Sequence, residues 1–236
     1  MTAWWRRGGD RATRSGVERV AWVTGTFVLV LLVGIGSGFV LHAFVGTGPT
    51  TFDRGVTDWF VDQRTPTRTD TVLAIQGAGR SSVLVALAVV GLALMFSPAF
   101  RPLGGFLVVV GIGAQVLINI AKPVVGRIRP PHSLQLEPIV TGAFPSGHAI
   151  ITTVVAAATA VAIGQARRRR LPPIAWVGAA VFTGCVGVSR VYLGVHWITD
   201  VVGGWALGFA WVLLLARVWF PHRADENGDY VVTSSP

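Results

Sequence analysis

Three short polar stretches hold the residues of this chain that are equipped for chemistry. The first runs Lys122-Pro-Val-Val-Gly-Arg-Ile-Arg129-Pro130. The second is Pro145-Ser146-Gly147-His148, and the third is Ser189-Arg190 with His196 and Asp200 further on. Lys122, Arg129 and Arg190 are cations whose natural ligand is a multiply charged anion, and guanidinium forks match phosphate oxygens. Ser146 stands at the N-cap position of a helix opening at Gly147. The free N–H groups and the dipole of that helix end favour an anion, and Gly147 lets a ligand approach the backbone. His196 and Asp200 lie four residues apart, which on a helix puts them on one face. A carboxylate holding one imidazole nitrogen leaves the other free to attack. His148 can protonate a leaving alkoxide as general acid, while the cations stabilise the equatorial oxygens of a transferring phosphoryl group. These are the parts of a phosphoryl transfer that calls for neither metal nor cofactor.

Such residues need a frame. The chain has 236 residues, 52% of them hydrophobic and only 13% charged, against about 25% charged in a soluble domain. Mean hydropathy is +0.60. Six apolar segments, approximately 20–43, 71–96, 102–122, 147–164, 173–190 and 200–220, each approach the roughly 17–25 residues that cross a bilayer, where only helices satisfy their own backbone. The expected fold is therefore all-α: a single polytopic domain of six transmembrane helices over residues 20–222, after a cytoplasmic segment 1–19 and before a disordered cytoplasmic tail 223–236. The first run, Val20 to Val45, exceeds a cleavable signal core of about 7–15 residues and reads as a retained helix.

The net charge is +9. The basic residues flank apolar runs, which argues for topology signals and lipid headgroups rather than nucleic acid. Arg167 to Arg170 is the strongest inner marker. It puts both termini in the cytoplasm and the three polar stretches on the extracytoplasmic side of a cell membrane. Trp22, Trp176, Trp197 and Trp219 fall near segment ends, as an aromatic belt would require. Between Thr50 and Asp70, Phe52, Val56, Trp59 and Phe60 recur at helical spacing while Asp53, Asp58 and Asp62 face elsewhere. That pattern describes a short amphipathic helix anchored at the interface.

Lys-x6-Arg-Pro, Pro-Ser-Gly-His and Ser-Arg-x5-His-x3-Asp, in this order, resemble the three signature motifs of the type-2 phosphatidic acid phosphatase superfamily. Every defining position is present: Lys122, Arg129, Pro130; Pro145, Ser146, Gly147, His148; Ser189, Arg190, His196, Asp200. The resemblance implies a six-helix membrane core and a phosphohistidine on His196. It implies His148 as general acid and Asp200 as partner of His196, with phosphate bound by Lys122, Arg129, Ser146, Gly147 and Arg190. It also implies a lipid phosphate substrate, either a polyprenyl diphosphate or a phosphatidic acid-type glycerolipid. A phosphotransferase of the same superfamily and a non-enzymatic lipid-binding or transport protein are the alternatives. The soluble vanadate-dependent haloperoxidases share a similar anion site, but six apolar segments in a short chain argue against them.

Other residues carry less. Arg127 reads equally as a phosphate contact or a solvated loop charge, and Arg80 as a snorkelling side chain or a pocket ligand. His132 reads as a loop histidine, His42 and His222 as interfacial, Glu137 as solvated, and Cys185 as a small buried apolar side chain.

Overall fold

The computed structural model describes residues 21–25, 28–30, 33, 49–167, 171–220, 223–224 and 230–231. The expected first membrane helix, the Arg168–Arg170 part of the basic run, His42, His222 and most of the two termini lie outside these residues. Helical backbone at Ala21–Gly25, Val28–Val30 and Val33 is all that is described of segment 20–43.

Helix α1 (Thr51–Asp62) starts at a capping box. Thr50 Oγ1 accepts from the Asp53 N–H (2.8 Å), and Asp53 Oδ2 accepts from the Thr50 N–H (3.1 Å), so two orphan donors satisfy each other's residues. After a short turn, Thr65 caps α2 (Pro66–Gln76), with proline in its first turn where no N–H is needed. A 3₁₀ turn, Gly77–Gly79, joins α2 to α3 (Ser81–Met95). The expected segment 71–96 thus begins earlier and contains a break. The break has a use: a Cβ on Gly79 would fall 2.5 Å from His148 Cδ2, so only glycine lets the turn close over that ring.

Helix α4 (Arg101–Val125) ends at Gly126, whose φ of 61° is the left-handed cap that favours glycine. Helices α5 (Gly147–Arg167), α6 (Pro173–Tyr192) and α7 (Ile198–Trp219) follow. A short antiparallel pairing of Arg223–Ala224 with Tyr230–Val231 closes the described chain. Five helical stretches among the described residues are long and apolar enough to cross a membrane: Pro66–Met95, Arg101–Val125, Gly147–Arg167, Pro173–Tyr192 and Ile198–Trp219.

Phe106, Val110 and Leu117 of α4, Ile150 and Val154 of α5, and Trp211 and Leu215 of α7 form the main buried cluster. Trp211 donates its Nε1–H to the Val110 carbonyl (3.0 Å), which satisfies the one polar atom of a large buried ring. Gly204 and Gly208 let α7 lie directly on α5: a Cβ on Gly204 would be 2.7 Å from the Ser146 carbonyl, and one on Gly208 3.0 Å from that of Ile150. Small residues at such crossings allow backbones to approach in lipid. The close crossing brings the start of α5 and the start of α7 together. Val85, Val89 and Leu92 on α3, and Ile174, Val177 and Val181 on α6, point outward uncovered, as helices facing hydrocarbon do. Cys185 belongs to this outward surface and is exposed. The buried position expected for it fails because α6 turns that face away from the bundle.

Candidate active site

The chain reverses at one end of the bundle twice within the motif region. Helix α4 ends there at Val125, α5 begins at Gly147, α6 ends at Tyr192 and α7 begins at Ile198. A cavity of about 260 Å³ opens at this end, lined among others by Lys122, Arg129, Gly147, His148, Arg190 and His196. Lys122 Nζ donates to the Gly142 carbonyl (2.9 Å) and keeps two of its three protons for a ligand. Arg190 is almost wholly buried. Its Nη1 donates to Gln76 Oε1 and lies 3.5 Å from Glu137 Oε2, while its Nε has no partner. A buried guanidinium with a vacant donor is costly unless an anion completes it.

Arg129 is committed more fully. Its Nε donates to the Thr141 carbonyl (2.6 Å), Nη2 to the Gly142 carbonyl (3.1 Å), and Nη1 to the Val195 carbonyl. Nη1 also lies 3.2 Å from His196 Nε2. Burial lowers this guanidinium to about 10, with Asp200 opposing the shift and Arg190 adding to it, so it stays charged at neutral pH. An arginine can only donate, so the contact requires a lone pair on His196 Nε2. The proton of the neutral ring then sits on Nδ1, which faces Asp200 Oδ2 at 3.4 Å, close enough for charge to act but without a formed hydrogen bond. Burial first, then the surrounding charges of Lys122, Arg129 and Arg190, hold His196 well below the usual histidine range. The ring is therefore neutral at pH 7, the form in which Nε2 can attack.

Behind the ring lies a second set of charges. Asp200 Oδ2 accepts from the Trp197 N–H (2.9 Å), and Asp200 Oδ1 accepts from Arg127 Nη1. Arg127 Nη1 also donates to Thr199 Oγ1 (2.7 Å), and Nη2 donates to Asp53 Oδ2 (2.8 Å). Asp53 Oδ1 in turn accepts from the Thr199 N–H (3.1 Å). Burial pushes the Asp53 carboxyl up, but hydrogen bonds from Thr199 and Thr50 and the charge of Arg127 outweigh it and leave the group below its ordinary value.

The family model of the PAP2 superfamily matches residues 103–224, a stretch that includes every cavity residue of the three motifs. The chain belongs to the PAP2 superfamily. It is 31% identical over 77% of its length, and 86% of the relative's, to phosphatidylglycerophosphatase B of Bacillus subtilis. It is 34% identical over 49% of its length to an undecaprenyl-diphosphatase of Sulfolobus acidocaldarius, of which it spans about half (54%). The crystal structure of the first transmembrane PAP2 type phosphatidylglycerolphosphate phosphatase from Bacillus subtilis superposes with a TM-score of 0.65 at 27% identity, covering 80% of this chain and 94% of that one. With these relatives and its apolar helices, the chain is a multi-pass membrane protein.

Within this PAP2 frame, the predicted site residues fall into two groups. Lys122, Arg129, Gly147, His148, Arg190 and His196 line the cavity, whereas Ser146 and Asp200 do not. Ser146 precedes α5 as expected, but its buried hydroxyl caps nothing and has no partner. His196 and Asp200 do meet, though not along one helix face. His196 sits in the turn before α7 and Asp200 in its first turn, so the contact comes from the way the helix starts.

Four other expectations change. Arg127 is neither a phosphate contact nor solvated: it is 3% exposed and holds two carboxylates. Asp53 does not face outward; it is completely buried, because α1 docks that face on the start of α7. Glu137 is not simply solvated but pairs with Arg190 and accepts from Gln76 Nε2 (2.5 Å). Trp197 is no belt residue; it is buried and donates to the Ile128 carbonyl (2.8 Å). His132 keeps its reading as a loop histidine, and of the two readings of Arg80 the exposed one holds; neither lines the cavity. Gln76 and Thr199 escaped sequence reasoning altogether: an uncharged polar residue at a helix end carries no signal until its partner is known.

Proposed function

We propose that the protein is a lipid phosphatase that hydrolyses a phosphomonoester or polyprenyl diphosphate through a phosphohistidine on His196, at the extracytoplasmic face of the membrane. The observation that carries this reading is the convergence of His148, His196 and three cations from two chain reversals on one cavity. Lys122 and the vacant Nε of Arg190 bind the phosphoryl oxygens together with the backbone at Gly147. His196 Nε2 attacks phosphorus as its ring becomes positively charged, with the Asp200 carboxylate 3.4 Å from Nδ1 to stabilise that charge. The P–O bond to the lipid breaks, and His148 passes its proton to the departing oxygen. Water then attacks the phosphohistidine, His148 takes the proton released, and inorganic phosphate leaves.

A lipid substrate is supported by a groove of about 450 Å³ between α3, α4 and α5, lined by Val83, Leu94, Val155 and Ala166 among others. Its first lining residues, Val83 and Val155, follow Ser81 and Ile151 of the cavity wall by no more than about one helical turn. From Val155 to Ala166 it descends about 16 Å into the bilayer by the rise of α5. The membrane domain spans residues 20–222 in this reading, with both termini cytoplasmic.

The test is phosphate release from prenyl diphosphates, phosphatidate and phosphatidylglycerol phosphate by purified protein in detergent, without added metal. Release by the wild type and its loss in a folded His196→Ala variant is the expected result. Full activity in that variant rejects the nucleophile. Transfer of labelled phosphate to a lipid or sugar alcohol, with none to water, identifies a phosphotransferase instead.

A further inference from the structure

We propose that Asp53 and Arg127 are positioning residues of this centre: together they fix the Asp200 carboxylate against Nδ1 of His196 and keep a net negative charge behind the ring. The inference rests on the phosphohistidine reading above. Three charged side chains, Asp53, Arg127 and Asp200, lie in series and are 0%, 3% and 0% exposed. The two oxygens of Asp200 are pinned from different directions, Oδ1 by Arg127 Nη1 and Oδ2 by the Trp197 N–H (2.9 Å). With both oxygens held, the carboxylate cannot turn away from His196 Nδ1, 3.4 Å from Oδ2. Arg127 is itself held, because its other fork donates to Asp53 Oδ2 (2.8 Å) and its Nη1 to Thr199 Oγ1 (2.7 Å).

The charge count explains why a second carboxylate is present. Asp200 with Arg127 alone would form a neutral pair and offer little to an imidazole turning cationic. Asp53 shares Arg127, so the three groups carry one net negative charge. In a buried site of low effective dielectric, that charge stabilises the ring as Nε2 bonds to phosphorus. A staple for α1 would need only the contact of Asp53 with the N-terminus of α7, where it accepts the Thr199 N–H (3.1 Å). Arg127 reaches beyond that contact to the oxygen of Asp200 on the far side.

The experiment uses full-length protein in detergent, with the lipid phosphate the wild type hydrolyses fastest. Asp53→Asn, Arg127→Lys, Arg127→Met, Asp200→Asn and the double variant Arg127→Met/Asp200→Asn are compared per folded molecule. Asp53→Asn and Arg127→Met are expected to lower kcat about 10–100-fold, the range for outer partners of reacting groups, with KM changed less than threefold. Arg127→Lys recovers part of the loss. In the Asp200→Asn background, Arg127→Met costs little more, because residues acting through a shared partner are not additive. Wild-type kcat in Asp53→Asn, or a loss in the double variant equal to the product of the single losses, overturns the proposal. If Arg127→Met does not fold, Asp53→Asn and Arg127→Lys decide it by the same criteria. Nitrogen NMR of labelled histidine, with His196 assigned by His196→Gln, reads the tautomer without any turnover. The wild type should show Nδ1–H, and Asp53→Asn a mixture; an unchanged tautomer overturns the proposal. Absence of phosphate release from every lipid phosphate defeats the phosphatase reading and leaves the tautomer to judge this one.

Discussion

In front of His196, Lys122, Arg129 and Arg190 crowd one cavity with carbonyl oxygens as their main partners, and Arg190 leaves a donor vacant. Behind it, Arg127 sits between two buried carboxylates with both forks engaged. The front is an excess of like charge whose cations repel one another, and under the proposed function a phosphate dianion relieves that repulsion. At the back each carboxylate oxygen has a partner, and in the proposal above that side serves to hold geometry. One imidazole lies between a cation-rich cavity and a buried set of paired charges. Charge neutralisation at the front should therefore cost activity and spare stability, whereas at the back it should cost both.

That contrast can be broken or sharpened experimentally. The largest effect should come from the ring itself: His196→Ala should lower kcat by about 10⁴-fold or more, as removal of a nucleophile does, measured as phosphate release in detergent. At the front, Lys122→Gln should lower kcat/KM by about 10²–10³-fold, the loss of one electrostatic stabiliser, while its thermal unfolding midpoint stays in place or rises. A fall in that midpoint would contradict the picture of unrelieved repulsion. At the back, Asp53→Asn leaves Arg127 and Asp200 without their third partner, and breaking a buried pair costs about 3–5 kcal/mol. The denaturation midpoint should fall accordingly.

A subtler test is the acid limb of kcat/KM. His196 is held below its usual value of about 6.5, so the limb for its protonation should lie below that pH. Arg129→Gln removes a neighbouring positive charge, makes protonation easier and should move the limb to higher pH; a shift the other way would deny Arg129 its electrostatic role. The smallest effect belongs to Glu137→Gln. Glu137 is 36% exposed beside Arg190, and a half-solvated pair is worth about 1 kcal/mol or less, so equilibrium unfolding should barely change.

The legible part of the site was the part with fixed spacing. Lys122, Arg129, Gly147, His148, Arg190 and His196 all came from motif pattern, and each lines the cavity. Five of the six apolar segments were legible because bilayer thickness imposes length and composition on a helix. The helix break at Gly77–Gly79 was not, since glycine is common in such segments and only the ring of His148 explains this one. Cys185 and Trp197 misled in opposite directions. Apolar character cannot separate a bundle-facing residue from a lipid-facing one, because both surroundings reward the same side chains.

The sequence by itself determined the types and order of the three motifs, the family they mark and the apolar lengths between them. Only the tertiary structure decided which charges face a ligand and which face each other. Asp53 and Arg127 are separated by more than seventy residues of chain and share no motif, so nothing local marks them as a pair. Their meeting depends on α1 docking against the start of α7, and long-range packing of that kind leaves no period or spacing to read.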